Sequence, residues 1–154
     1  MFMPNSTATV SRPGNTRVTG KEQFYTPTDL ALRLATLVSD KVGGFADKTV
    51  IEPAGGTGSF LQAAKALKAN KLISFDIEPK AEGVLLADFL LETKGLEKIS
   101  NAITLSNPPF GRNNSLSIPF FNKAAQHSQY IAFVVPRSWR KWSVQNRLNR
   151  NFHL

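Results

Sequence analysis

A chain of 154 residues has room for one core, and 42% apolar residues with 19% charged is the composition of a globular domain. No apolar run approaches the roughly 20 residues that a membrane span needs, and the absence of cysteine excludes disulfides, thiolate zinc sites and cysteine nucleophiles. The net charge of +8 is segregated: all 11 acidic residues lie at or before Glu97, and from Lys98 to Leu154 the charged residues are basic only, which favours a polyanion partner such as nucleic acid.

Residues 1–20 are rich in Ser, Thr, Asn, Gly and Pro, carry Arg12 and Arg17, and lack the apolar stretch of a secretory signal. They predict a flexible basic arm, with a single domain over 21–154. "QFYTPTDLALRLATLVSD" predicts a helix capped by Thr26, with Pro27 in its first turn, Asp29 completing a capping box, and Leu30, Leu34, Leu37 and Val38 on its apolar face. "VGGF" ends it. "KTVIEPAGGTGSFLQAAKALKAN" then predicts strand, glycine turn and helix, and "KLISFDIEP" a buried strand ending in acid. "EGVLLADFLLETKG" predicts a short strand closed by Asp88, and "NAITLSNPPFG" a strand running into two prolines. "SIPFFNKAAQHSQ" predicts a helix, "YIAFVVP" a strand and "RSWRKWSVQNRLNR" a basic helix. Alternating helices and strands, the strands apolar on both faces, predict an α/β fold of Rossmann-like type: a mostly parallel sheet flanked by helices.

The turn at Gly55, Gly56 and Gly58 lets a ligand approach backbone where a Cβ would obstruct it, ahead of a helix N-terminus with free N–H groups. No Gly-Lys-Ser/Thr follows, so it is not a phosphate-binding P-loop. Asp76 ends the next strand, at the spacing where a carboxylate accepts ribose hydroxyls. Glu52, just before the turn, would repel a pyrophosphate but suits a ligand with a positive centre. S-adenosylmethionine (SAM) has a ribose, a sulfonium and an amino acid end, and no phosphate. Asp88 can accept from its adenine amine beside Phe89, or equally serve as a helix N-cap.

With "SNPPF" after these features, the chain resembles the N6-adenine-specific DNA methyltransferases of the class I SAM-dependent superfamily, over about residues 24–136. Four stretches carry the resemblance: "FYTP", "EPAGGTGSF", "FDIEP" with the later Asp88-Phe89, and Asn107-Pro108-Pro109-Phe110. The resemblance implies a SAM site built from Tyr25, Thr26, Pro27, Glu52, Pro53, Ala54, Gly55, Gly56, Gly58, Asp76, Ile77, Asp88, Phe89 and Asn107. It implies catalysis by Asn107, Pro108, Pro109 and Phe110, and no metal. Family members usually continue into further strands and a target-recognition region. Their absence from this stretch implies an abbreviated sheet, with recognition supplied by a separate subunit or by the rest of a longer gene. A soluble cytoplasmic setting, bacterial or phage-like, and a restriction-modification context follow from the same resemblance.

The motif also has a physical reading. The exocyclic amine of adenine is a poor nucleophile because its lone pair is delocalised into the ring. Acceptors on its two N–H bonds, the Asn107 side-chain oxygen and the Pro108 carbonyl, stabilise the positive charge that develops during attack. The prolines stiffen the carbonyl's direction, and Phe110 offers a face for an extruded base. Asn-Pro-Pro-Phe equally resembles RNA adenine and, with Tyr, protein-glutamine methyltransferases, whose amide nitrogen poses the same problem. A nucleic-acid-binding fragment with weak turnover is a further alternative. Arg112, Arg137, Trp139, Arg140 and Lys141 interleave cations and rings near the motif, a pattern suited to nucleic acid; a tryptophan packed on the sheet is the structural alternative there.

Overall fold

The computed structural model describes residues 24–92 and 94–154; the basic arm expected over 1–20 lies outside them. Helix α1 (Thr28–Val42) precedes β1 (Thr49–Glu52), α2 (Ser59–Ala66), β2 (Lys71–Asp76) and β3 (Val84–Leu86). β4 (Ala102–Ser106), α3 (Ser117–Ala124), β5 (Tyr130–Phe133) and the short α4 (Trp142–Gln145) complete the order. The five strands form one sheet in the order β3-β2-β1-β4-β5, and every pairing is parallel.

Alternating side chains divide the core between the two faces. Val50, Ile103 and Leu105 meet α1 and α2 through Ala31, Ala35, Phe60, Ala63 and Ala64. Ile51, Phe75 and Ala102 meet Phe89, Leu96 and the α3 residues Phe120 and Ala124 on the other. β1 and β4 are buried along their whole length, as the apolar runs predict. β5 is an outer strand instead: Tyr130 is exposed and its other residues are half-buried.

Two helices depart from expectation. α1 begins at Thr28 with Pro27 as its N-cap and no side-chain cap bond, so Thr26 is not the cap. Its hydroxyl instead accepts from Asn107 Nδ2 at 3.1 Å. The fully buried residues of α1 are Ala31, Ala35 and Ser39, while Leu37 is 62% exposed. α1 packs on α2 through alanines on both helices, where close approach selects small side chains, and the predicted Leu34 and Val38 pack beside them half-buried while Leu30 and Leu37 stay exposed. The basic helix predicted over 137–150 is broken. Arg137–Arg140 form a 3₁₀ turn, Lys141 is extended, and α4 follows. The break lets Trp139, Val144 and Leu148 all reach Ile118 and Phe121 of α3.

The strand order has one consequence for function. From β1 the chain runs outward through β2 and β3, then returns to place β4 on the opposite side of β1. Beyond the carboxyl ends of β1 and β4 the connections diverge, which in an open parallel sheet creates the ligand crevice. "EPAGG" leaves β1 and "NPPFG" leaves β4 at that point.

Candidate functional site

The glycine turn is held by backbone bonds on both sides. Gly55 N–H donates to Phe75 O at 2.8 Å, extending the β1–β2 ladder, and Gly58 N–H donates to Gly55 O at 2.7 Å. A Cβ on Gly55 would collide with the Ser74 hydroxyl and the Val84 methyls. The neighbouring strands therefore already require this glycine, which also lines the cavity described below. Gly56 is left-handed (φ +50°), and a Cβ there would sit 3.2 Å from the Tyr25 ring.

Glu52, the last residue of β1, is 3% exposed. Ser74 Oγ donates to its Oε2 at 2.8 Å, and hydrogen bonds from the backbone of Phe60 and Leu61 help hold the charge. Both residues lie in the first turn of α2 (Ser59–Ala66), so the positive end of the helix faces Glu52. Burial nevertheless dominates and pushes its carboxyl up to about 7, with Asp76 adding repulsion.

Asp76 ends β2 with both oxygens engaged. Oδ2 accepts from Gly56 N–H at 2.8 Å and Oδ1 from Glu78 N–H at 2.7 Å. Each carboxylate oxygen keeps a further lone pair for a second donor. Asp88 accepts from Leu90 N–H through Oδ1 at 2.9 Å, while its backbone carbonyl takes Leu91 and Glu92. It is an Asx turn, close to the capping alternative.

Asn107 follows β4. Its Nδ2 donates to Phe24 O at 3.2 Å and Thr26 Oγ1 at 3.1 Å. A carbonyl can only accept, so this contact fixes the amide's orientation and leaves Oδ1 as the other end. Oδ1 is buried and has no hydrogen-bond partner among the described residues, and neither has the adjacent Ser106 Oγ. An acceptor buried without a donor costs about 1–3 kcal/mol, and such groups in a native fold call for a functional explanation. Pro108 is fully buried. Phe110 is already stacked on Phe24, with ring centroids 5.6 Å apart and planes at 23°.

These groups surround a cavity of about 540 Å³, within the size range of small-molecule sites. Tyr25, Thr26, Asn107, Pro108 and Pro109 line it, as do the stretches Glu52–Gly56, Asp76–Ile77 and Asp88–Phe89. Pro27 and Gly58 do not; they are the N-caps of α1 and α2. Phe110 lines a second cavity, of about 490 Å³, together with Phe24, Lys141 and Arg147 and no acidic residue among those described.

Of the residues expected at nucleic acid, Arg112 lies at the first cavity and Lys141 at the second, whereas Arg137 and Arg140 are exposed and line neither. Trp139 is a correction. It is 3% exposed, packs edge-on against Phe121, and donates Nε1–H to Ser117 Oγ at 3.3 Å. Its ring belongs to the core, and the exposed indole is Trp142, at 76%. Sequence reasoning missed Phe24, Glu78, Leu116 and Phe120 at the first cavity and Arg147 at the second. Phe24 and Glu78 carried a signal, since they lie in "FYTP" and "FDIEP".

No family model and no curated protein matches the chain. Among solved structures, it is similar to a putative RNA methyltransferase from Pyrococcus horikoshii, with a TM-score of 0.63 and 22% identity over 81% of this chain and 69% of that one. The fold shared with that structure is a Rossmann-like parallel sheet flanked by helices. Among the described residues no helix is long and apolar enough to cross a membrane.

Proposed function

We propose that the chain is a SAM-dependent methyltransferase that acts on the exocyclic N6 amine of adenine in nucleic acid. The observation that carries this reading is the orphaned acceptor: Asn107 Oδ1 is buried, oriented by two contacts on the other end of its amide, and unpartnered. It lies at the crevice formed where the strand order reverses.

The first cavity fits SAM on its own chemistry. Glu52, Asp76, Glu78 and Asp88 give it four carboxylates, which suits a cation and rejects a phosphate. The lone pairs left on Asp76 match a ribose diol, and Glu52 supplies counter-charge behind the turn. When bound, the cofactor supplies an electrophilic methyl group. The chain's own contribution is to orient and to stabilise: Asn107 Oδ1 accepts one N–H of the amine and favours the charge that grows on nitrogen, and Pro108 and Pro109 hold the strand end rigid. No side-chain base is required, since the product amine can release its proton to water.

The identity of the nucleic acid divides the two signals. The four motifs resemble DNA adenine methyltransferases, while the solved structure of similar fold carries the name of an RNA methyltransferase. The latter favours RNA as the second reading. The acid-free stretch after Glu97 favours either polymer over a protein substrate. Transfer of radiolabelled methyl from SAM to DNA, RNA and protein in parallel, with the product hydrolysed to locate the methyl group, separates the readings. Label on protein alone, or on a base atom other than N6, would overturn the proposal.

A further inference from the structure

One face of Phe110 is covered. Phe24 stacks on it at 5.6 Å between centroids, whereas a third ring between the two would need a separation of about 7 Å. We infer that Phe24 stands in the stacking seat of the target adenine, and that the base reaches Phe110 by displacing it; this rests on the adenine reading above.

Three further observations support displacement. Phe24 lines both cavities, so its ring stands where the acid-lined space meets the basic one. The second cavity carries Lys141 and Arg147, and neither forms an ion pair among the described residues. A polyanion is drawn to that side, and its base meets the Phe24–Phe110 pair there. The anchoring of Asn107 does not depend on the ring: the bond at 3.2 Å uses the Phe24 carbonyl. Phe24 is 40% exposed, and its ring can leave while the carbonyl stays. The orphan Oδ1 agrees with this order of events. It is closed off from solvent, so its donor arrives only once a neighbouring group has moved.

Phe24 is thus a placeholder that keeps the seat closed and lowers the affinity of every stacking ligand by the same factor. A purine, with the larger flat surface, replaces it; a pyrimidine does so less readily.

The test is NMR titration of adenosine 5′-monophosphate into protein saturated with S-adenosylhomocysteine, for the wild type, Phe24→Ala and Phe24→Trp. With no ring to displace, Phe24→Ala is expected to bind the nucleotide about threefold to tenfold more tightly. Phe24→Trp, with a better stacker in the seat, is expected to bind no more tightly than wild type. Cytidine 5′-monophosphate, the weaker stacker, should gain by the same factor, since one displacement cost is removed for both; a gain confined to one nucleotide would overturn the inference. Equal or weaker binding by Phe24→Ala, with its fold intact by circular dichroism, would show that Phe24 does not compete for the seat and would overturn this inference alone. No adenosine 5′-monophosphate binding by any of the three proteins would overturn the adenine reading and the inference with it.

Discussion

The two cavities are close in volume, about 540 and 490 Å³, and opposite in charge. The first is walled by the strand ends of β1 and β2, with carboxylates at Glu52, Asp76, Glu78 and Asp88 against a single cation among the described residues, Arg112. The second is walled by the segments after β4 and β5, with Lys141 and Arg147 and no described acid. The stacked rings of Phe24 and Phe110 stand between them. The linear segregation of charge along the chain becomes, in the fold, two sides of one aromatic pair. An acid-lined cavity tolerates a sulfonium and an ammonium; a basic one tolerates phosphates. On the proposed function, the two kinds of ligand meet beside this pair, near Asn107, whose Nδ2 donates to the Phe24 carbonyl.

The largest expected effect tests the meeting point itself. Asn107→Ala should lower methyl transfer about 10²–10³-fold, the usual cost of one transition-state acceptor or donor. SAM affinity, measured by calorimetry, should change little. Undiminished transfer would leave the orphan oxygen without a role, and joint loss of SAM binding would erase the division between the cavities.

The acid-lined side is probed by pH. The Glu52 carboxyl is raised from its usual 4.5 to about 7 by burial. A raised folded-state value means that its contribution is complete below 4.5 and is lost as pH rises through about 7. The loss should approach about 3 kcal/mol, since each pH unit between the two values is worth on the order of 1.4 kcal/mol. Urea unfolding across this range should show the decline, and Glu52→Gln should flatten it. A cation in the cavity favours the ionised form, so SAM affinity should rise as pH increases through 7. Affinity falling with pH would break the assignment of Glu52 to the cationic ligand.

Asp76→Asn keeps the shape of the side chain but loses the charge that two backbone N–H groups and the ribose diol share. SAM binding should weaken about tenfold, the cost of trading charge-assisted hydrogen bonds for neutral ones. Nucleic-acid affinity should stay constant if the two sides are separate.

The smallest effect belongs to the basic side. Replacing Lys141 and Arg147 by Ala should lower oligonucleotide affinity severalfold and reduce its salt slope by about 1.4 for single strands or 1.8 for DNA duplex, with SAM binding unchanged. Parallel measurements with Arg137→Ala and Arg140→Ala, which line neither cavity, show whether the effect follows the cavity or the net charge. Equal slopes for both pairs would reduce the second cavity to general surface charge.

Much of the site was legible because it rests on local chemistry. Period and turn residues suffice to place "EPAGGTGSF" between a strand and a helix, to end a strand at Asp76, and to put Asn107 just past β4, whereas β3 stops at Leu86, two residues short of the expected end at Asp88. The charge asymmetry around Glu97 needs no structure at all. What tertiary structure decided are contacts between residues far apart in the chain, for which local pattern carries no information. Strand order brought Asn107 to the end of β1. Pairing of α1 with α2 made alanines rather than leucines the buried face. The break at Lys141 turned Trp139 into the core. Phe24, 83 positions before Asn107, had no sequence reason to lie on Phe110. Local composition determines which groups a chain can offer; packing across the sheet determines which of them meet.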